Sequence, residues 1–240
     1  MAHTSFETPP HLIAPAQVLE GALQHYYCGT EGDLRLAHLL VDNAIELLTL
    51  AYLRSQNPDF RPKPGNHKAY VGQICADWAI GTGTKNALLE CHNQRNNFYH
   101  EIVAGAPARN AVYRYIREAL IFAETILGRD YEDFETYTPR LGFLIAAFKL
   151  EIALRKRGRE RRPRVRFETL QELPEHDLVD RLLDSDDELY PVTVDQLKIV
   201  TDCLAQALAT GGTDEVELEE AREAAIRLRT SLEGISYELS

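Results

Sequence analysis

The sequence predicts an all-α fold on three observations. Apolar residues recur at i, i+3, i+4 and i+7 through most of the first 154 residues. The breaks between those runs are clusters of glycine and proline, the residues that stop a helix. No alternating apolar and polar run is longer than a few residues, and no internal repeat is present. With 240 residues, 45% of them hydrophobic, the chain can bury one large core or a core with a smaller extension.

The elements follow in order. Pro9, Pro10 and Pro15 predict an irregular start. A helix is then expected from Ala16 to Tyr27, with Val18, Leu19, Ala22, Leu23 and Tyr26 on one side and Gly29 past its end. Asp33 is the expected N-cap of a long helix to Ser55. Its apolar set (Leu36, Leu39, Leu40, Ile45, Leu47, Leu48, Leu50, Tyr52) covers well over half the circumference and predicts a central helix. Pro58, Pro62, Pro64 and Gly65 make the next ten residues a loop. A shorter helix from Lys68 to Ala79 carries the single tryptophan, Trp78, and Gly81-Thr82-Gly83-Thr84 ends it. That segment lacks the third glycine, the preceding strand and the Lys-Ser/Thr of a phosphate loop, so it reads as a helix–helix turn with Thr84 as the next N-cap.

The helix opened by Thr84 turns Ala87, Leu88 and Cys91 inward, and Gly105 and Pro107 follow it. From Arg109 to Leu127 the residues Val112, Tyr115, Ile116, Ala119, Leu120, Ala123 and Leu127 form an apolar stripe that Gly128 terminates. Tyr131, Phe134 and Tyr137 punctuate an acidic connection to a last apolar helix, Leu141 to Leu154.

After Leu154 the composition changes abruptly. The expected organisation is a helical domain over 11–154, a basic linker over 155–166 and an acidic helical C-terminal extension over 167–240. These blocks carry net charges of −4, +7 and −14 within a chain total of −11. The extension has amphipathic pieces at Asp177 to Leu183 and Val194 to Thr210, separated by the acidic run Asp184 to Glu188. A final helix, Glu215 to Gly234, follows with Thr213 or Asp214 as its cap. A chain this acidic does not draw nucleic acid by its overall field, so any such contact has to come from a local patch.

No stretch approaches the ~18 uncharged apolar residues of a membrane span, and Met1 to Pro10 lacks both a basic residue and an apolar run. A cytoplasmic location is expected. Cys28, Cys75, Cys91 and Cys203 form no Cys-x2-Cys pair, and the adjacent Cys91 and His92 project in different directions from a helix. Neither a metal site nor a disulfide framework is expected, and no cofactor is implied.

The chemistry-bearing segment is Arg95-Asn96-Asn97-Phe98-Tyr99-His100 at the end of an apolar-periodic helix. It sets a permanent cation that grips phosphate through parallel N–H bonds five positions before an imidazole that exchanges protons near neutral pH. The plain structural alternative is a surface arginine and a histidine cation favoured by a helix C-terminus. Five residues at 100° each separate the two side chains by about 140° on one helix. A joint site therefore needs a helix break near Tyr99 or a second protomer.

In an all-helical chain, the Arg-Asn-x-x-x-His form after a long helix resembles the Arg-x4-6-His signature of HEPN (higher eukaryote and prokaryote nucleotide-binding) domains. The resemblance covers roughly Ala16 to Leu127. It implies a helical bundle that dimerises with two motifs facing a cleft, and metal-independent RNA cleavage of toxin or antiphage-defence type that leaves 2′,3′-cyclic phosphate ends. His100 is then the general acid or base, Arg95 the phosphate stabiliser and Asn96 the orienting amide. RNA is the implied substrate, with a homodimer and an antitoxin or defence-system protein as partners. The alternative within the same family is a non-catalytic module that binds a nucleotide, RNA or protein. HEPN toxins regulated by nucleotidyltransferase antitoxins carry tyrosine two positions after the histidine, where this chain has Ile102.

Asn43 and Glu46 on the long helix are candidates for a supporting polar shell. Arg155, Lys156, Arg157, Arg159, Arg161 and Arg162 are candidates to dock RNA phosphates. The acidic segment that follows is an equally good partner for that basic stretch, as an intramolecular shield or a docking module.

Overall fold

The computed structural model describes residues 10–100, 105–161, 190–210 and 214–234. For residues 99, 100, 157–161, 190–195, 209, 210 and 234 it describes the backbone alone. Among these residues all regular structure is helical, as the sequence predicts. The first compact unit ends at Tyr137 and the second begins at Thr138.

The first unit contains α1 (Pro10–Cys28), α2 (Glu31–Gln56), α3 (His67–Asp77), α4 (Thr82–His100), α5 (Arg109–Leu127), a 3₁₀ turn (Gly128–Asp130) and the short α6 (Tyr131–Glu135). Helix α2 is the hub, packed against α1, α3, α4 and α5. By length and composition alone α2 is apolar enough to cross a membrane, although Asp42 and Glu46 lie within it. Burial against four helices accounts for that composition, with Val41, Ala44, Ile45 and Leu48 at 1% exposure or less. Each buried aliphatic side chain of this kind contributes about 1.5–3 kcal/mol. Helix α1 lies close enough that a Cβ on Gly21 would meet Leu40 at 3.3 Å.

Three local expectations are corrected. Helix α1 begins at Pro10 and runs through Pro15. Proline fits a first helical position, and at Pro15 the lost backbone bond is offset by burial of Leu12, Pro15 and Ala16. The cap of α2 is Thr30, whose Oγ1 accepts from the Asp33 N–H at 3.1 Å. Asp33 lies three positions into the helix and accepts the threonine hydroxyl and His25 instead, a reciprocal arrangement of the capping-box kind. Helix α4 starts at Thr82, and Thr84 is no cap: its hydroxyl donates to Glu118 on α5 at 2.6 Å. Gly128 ends α5 as predicted, with φ of 55°. That left-handed conformation is one an L side chain adopts only at a cost.

The second unit contains α7 (Pro139–Arg161), α8 (Tyr190–Thr210) and α9 (Glu215–Gly234), with α7 and α8 both packed on α9. Leu141, Phe143, Leu144, Ile145 and Phe148 are fully buried. Asp214 caps α9 by accepting from the Val216 N–H at 2.8 Å, one of the two residues expected to do so. The boundary expected at 154 falls inside α7, which continues into the basic stretch without a break. The predicted segments 177–183 and 184–188 and the rest of the basic linker lie outside the described residues.

Candidate functional site

On α2, His38 and Asp42 stand one turn apart where apolar spacing calls for core residues, and both are fully buried. Burying a carboxylate is costly unless it is paired. Asp42 Oδ2 accepts from Arg95 Nη1 on α4 at 2.9 Å and lies 3.2 Å from His92 Nδ1. Glu46, the next turn of α2, lies 3.2 Å from Arg95 Nη1 and 3.6 Å from His92 Nδ1. The spacings are those that share a helix face, i and i+4 for the acids, i and i+3 for the bases. Two acids of one helix thus clasp two bases of the other.

A third helix completes the group. His67, the first residue of α3, lies against His92 with ring centroids 4.8 Å apart and planes at 42°. Burial, together with the charges of His92 and Arg95, holds the His67 imidazole down to about 4 against the opposing pull of Asp42, so it is neutral at pH 7. Its Nε2 and the second oxygen of Asp42, Oδ1, are both buried with no hydrogen-bond partner among the described residues. One donor atom from each of Asp42, His67 and His92 lies within 4.8 Å of the others.

Behind the clasp, His38 fixes α2 to α4 through a 3.0 Å contact between its Nε2 and the Cys91 carbonyl. Phe98 and Tyr115 meet its ring edge-on at 5.1 and 5.2 Å. Burial pushes the His38 imidazole below its ordinary value, which leaves the neutral form to donate to that carbonyl. Burial likewise pushes the Cys91 thiol far up, so Cys91 is an inert core residue and not a nucleophile.

The expected site residues are distributed as follows. Arg95 is in the clasp, 22% exposed, and Glu46 reaches it. Asn96 and Asn43 are half-buried next to Arg95 and Asp42 in sequence. His100 is the last residue of α4, and its side chain lies outside the described set. Helix α4 is continuous from Thr82 to His100, so the break considered near Tyr99 is absent and the angular separation of Arg95 and His100 stands. Arg35 on α2 places its guanidinium 5.7 Å from the centre of the Phe98 ring, two residues before His100.

Arg155 is corrected. It is 4% exposed, and its Nε donates to Glu151, one turn earlier on α7, at 2.9 Å. A guanidinium buried in such a pair does not meet RNA. Lys156 is exposed. The side chains of Arg157, Arg159 and Arg161, and all of Arg162, lie outside the described set.

Sequence reasoning missed Asp42, His67 and His92. For Asp42 the signal was present, since a carboxylate in phase with Ile45 and Thr49 interrupts the apolar face of the longest early helix. For His92 it was the three-residue spacing to Arg95. Comparison of the chain with protein-family models, with curated proteins and with solved structures finds no match.

Proposed function

We propose that the first unit is a HEPN-like endoribonuclease domain, active as a homodimer in the cytoplasm, in a toxin or antiphage-defence setting with a protein partner that restrains it. An RNA 2′-hydroxyl attacks the adjacent phosphorus, the 5′-oxygen leaves, and a 2′,3′-cyclic phosphate remains. His100 removes the proton of the attacking hydroxyl or returns one to the leaving oxygen. Arg95 stabilises the added negative charge at phosphorus, and Asn96 orients the phosphate. Because Arg95 and His100 diverge on one continuous helix, each cleft takes its arginine from one copy and its histidine from the other. Arg35 docks a neighbouring phosphate.

The observation that carries this reading is the investment in Arg95. A fully buried carboxylate, Asp42, sits in the hub helix where an aliphatic residue packs better, and it holds the guanidinium in one orientation. Rules of core composition are broken in this way where a site needs a preorganised group. One observation favours the non-catalytic module instead. The guanidinium of Arg95 already faces two carboxylates, Asp42 at 2.9 Å and Glu46 at 3.2 Å, so it grips an incoming phosphate weakly.

The test is cleavage of a labelled RNA by the full chain in EDTA, with product ends mapped. The ribonuclease reading expects cyclic phosphate ends, and a loss of roughly 10²–10⁴-fold in rate for His100→Ala. RNA bound but left intact by the unaltered protein supports the module, and undiminished cleavage by His100→Ala removes the assignment.

A further inference from the structure

We propose that Asp42, His67 and His92, with Glu46 as a fourth donor, form a binding site for a first-row transition-metal ion of the zinc class, and that this ion and the Arg95 guanidinium compete for the same two carboxylates. The inference goes beyond the ribonuclease reading and does not depend on it.

Three features of the cluster carry it. The first is the donor set: two imidazoles and two carboxylates suit zinc and its neighbours, and they arrive from three helices, α2, α3 and α4, so binding ties the unit together. The second is spacing. Metal–nitrogen and metal–oxygen bonds of about 2.0–2.1 Å in a tetrahedron put neighbouring donors about 3.3 Å apart. The separations of His92 Nδ1 from Asp42 Oδ2 and Glu46 Oε1, 3.2 and 3.6 Å, bracket that figure. A third donor, a His67 ring nitrogen, lies within 4.8 Å of the Asp42 and His92 donors. The third is unspent bonding capacity. His67 Nε2 is buried without a hydrogen-bond partner among the described residues, a state that polar groups seldom keep unless something else engages them.

Competition with Arg95 follows from the same distances. Arg95 Nη1 sits 2.9 Å from Asp42 Oδ2 and 3.2 Å from Glu46 Oε1, the oxygens that the ion takes. A divalent ion neutralises both carboxylates at once, which one guanidinium does not, and it turns Arg95 away from them. The unit then has two states: arginine clasped with the metal site open, or metal bound with the arginine released.

Cobalt(II) is the probe, titrated into the full chain while visible absorption is followed, with zinc(II) added afterwards to displace it. Supporting results are one ion per chain, the intense bands of four-coordinate cobalt, and displacement by zinc. His67→Ala and His92→Ala each weaken binding by more than about tenfold, since loss of a direct ligand costs more than loss of a supporting residue does. Arg95→Ala tightens binding. His11→Ala and Cys28→Ser, at exposed positions away from the cluster, leave it unchanged. Circular dichroism confirms that each variant is folded, and zinc raises the melting temperature of the unaltered chain but not that of His67→Ala. The proposal is overturned if the folded protein takes up no cobalt, if His67→Ala binds as the unaltered chain does, or if Cys28→Ser abolishes binding. Arg95→Ala binding no tighter than the unaltered protein overturns the competition.

Discussion

The clasp between α2 and α4 predicts an asymmetry in what its two halves cost. Removing Arg95 by Arg95→Ala leaves Asp42, 0% exposed, with imidazoles for neighbours and no guanidinium. A buried charge stripped of its counter-ion typically costs about 3–5 kcal/mol. Removing the charge of Asp42 by Asp42→Asn keeps the shape and leaves Arg95 with Glu46 at 3.2 Å and about a fifth of its surface in water. The expected loss is that of one charge-assisted hydrogen bond, about 1.5–3 kcal/mol. At roughly 3–5 °C per kcal/mol for a unit of this size, Asp42→Asn melts about 5–15 °C lower and Arg95→Ala lower still. The double variant costs less than the sum, with a coupling of at least about 1 kcal/mol, because neither charge is then left alone. Urea and thermal unfolding of the four proteins at pH 7.5 close the cycle. Costs that add to within about 0.5 kcal/mol, or an Asp42→Asn variant as stable as the unaltered chain, refute the claim that Asp42 holds Arg95.

Other predictions concern the frame around the site. Gly128→Ala forces a Cβ into a left-handed backbone and lowers stability by about 1–2 kcal/mol, whereas Gly81→Ala, whose φ is not positive and whose added Cβ meets nothing, is close to neutral in the same melt. Stability falls on acidification through the ordinary histidine range. The unfolded chain protonates His38 there while the folded chain, its imidazole held lower by burial, does not, so stability is present above about 6.5 and lost below it. Urea midpoints at pH 7.5 and 5.5 measure this, and His38→Asn shrinks the difference. Leu228→Ala empties a 1%-exposed position on α9 and destabilises the second unit by about 2–5 kcal/mol, read by denaturation, with RNA cleavage by the first unit retained.

What the sequence made legible was periodicity. The hub helix, the Arg109–Leu127 stripe and the Gly128 stop are all visible because each depends on residues within two turns of one another. The cap of α2 was misplaced by three residues because Thr30 and Asp33 both suit that role, and only the backbone decides which accepts the N–H. Charge without helical phase marks the basic run as a linker. Glu151 and Arg155 are one turn apart, and α7 buries both. The clasp lay beyond local reading, since its partners are separated by fifty-three residues in Asp42–Arg95 and fifty in Asp42–His92. Each half was nonetheless written as a facing pair, Asp42 with Glu46 and His92 with Arg95.

The unbroken course of α4 also fixes how two copies must meet if Arg95 and His100 are to share a phosphate. Five residues advance about 7.5 Å along the axis and turn about 140°, so within one chain the imidazole on the Arg95 side is His92, three residues back. In a two-fold pair the same surface faces itself, and residue i opposes residue j whenever j opposes i. Two antiparallel α4 helices set Arg95 of each copy across from His100 of the other when the axis passes between Asn97 and Phe98. On α4 the positions of Asn96 and Tyr99 are about 100° and 40° round from Arg95, between it and His100 at about 140°, so theirs is the face that meets the second copy, with position 99 of one across from position 96 of the other. Tyr99→Glu then sets an acidic group on each side of the axis of an already acidic chain, without altering any residue of the clasp. Light scattering is expected to show dissociation and RNA cleavage to fall with it, while the helical circular dichroism of the unit is preserved. A dimer that survives Tyr99→Glu with full cleavage places the axis elsewhere and dissolves the shared cleft.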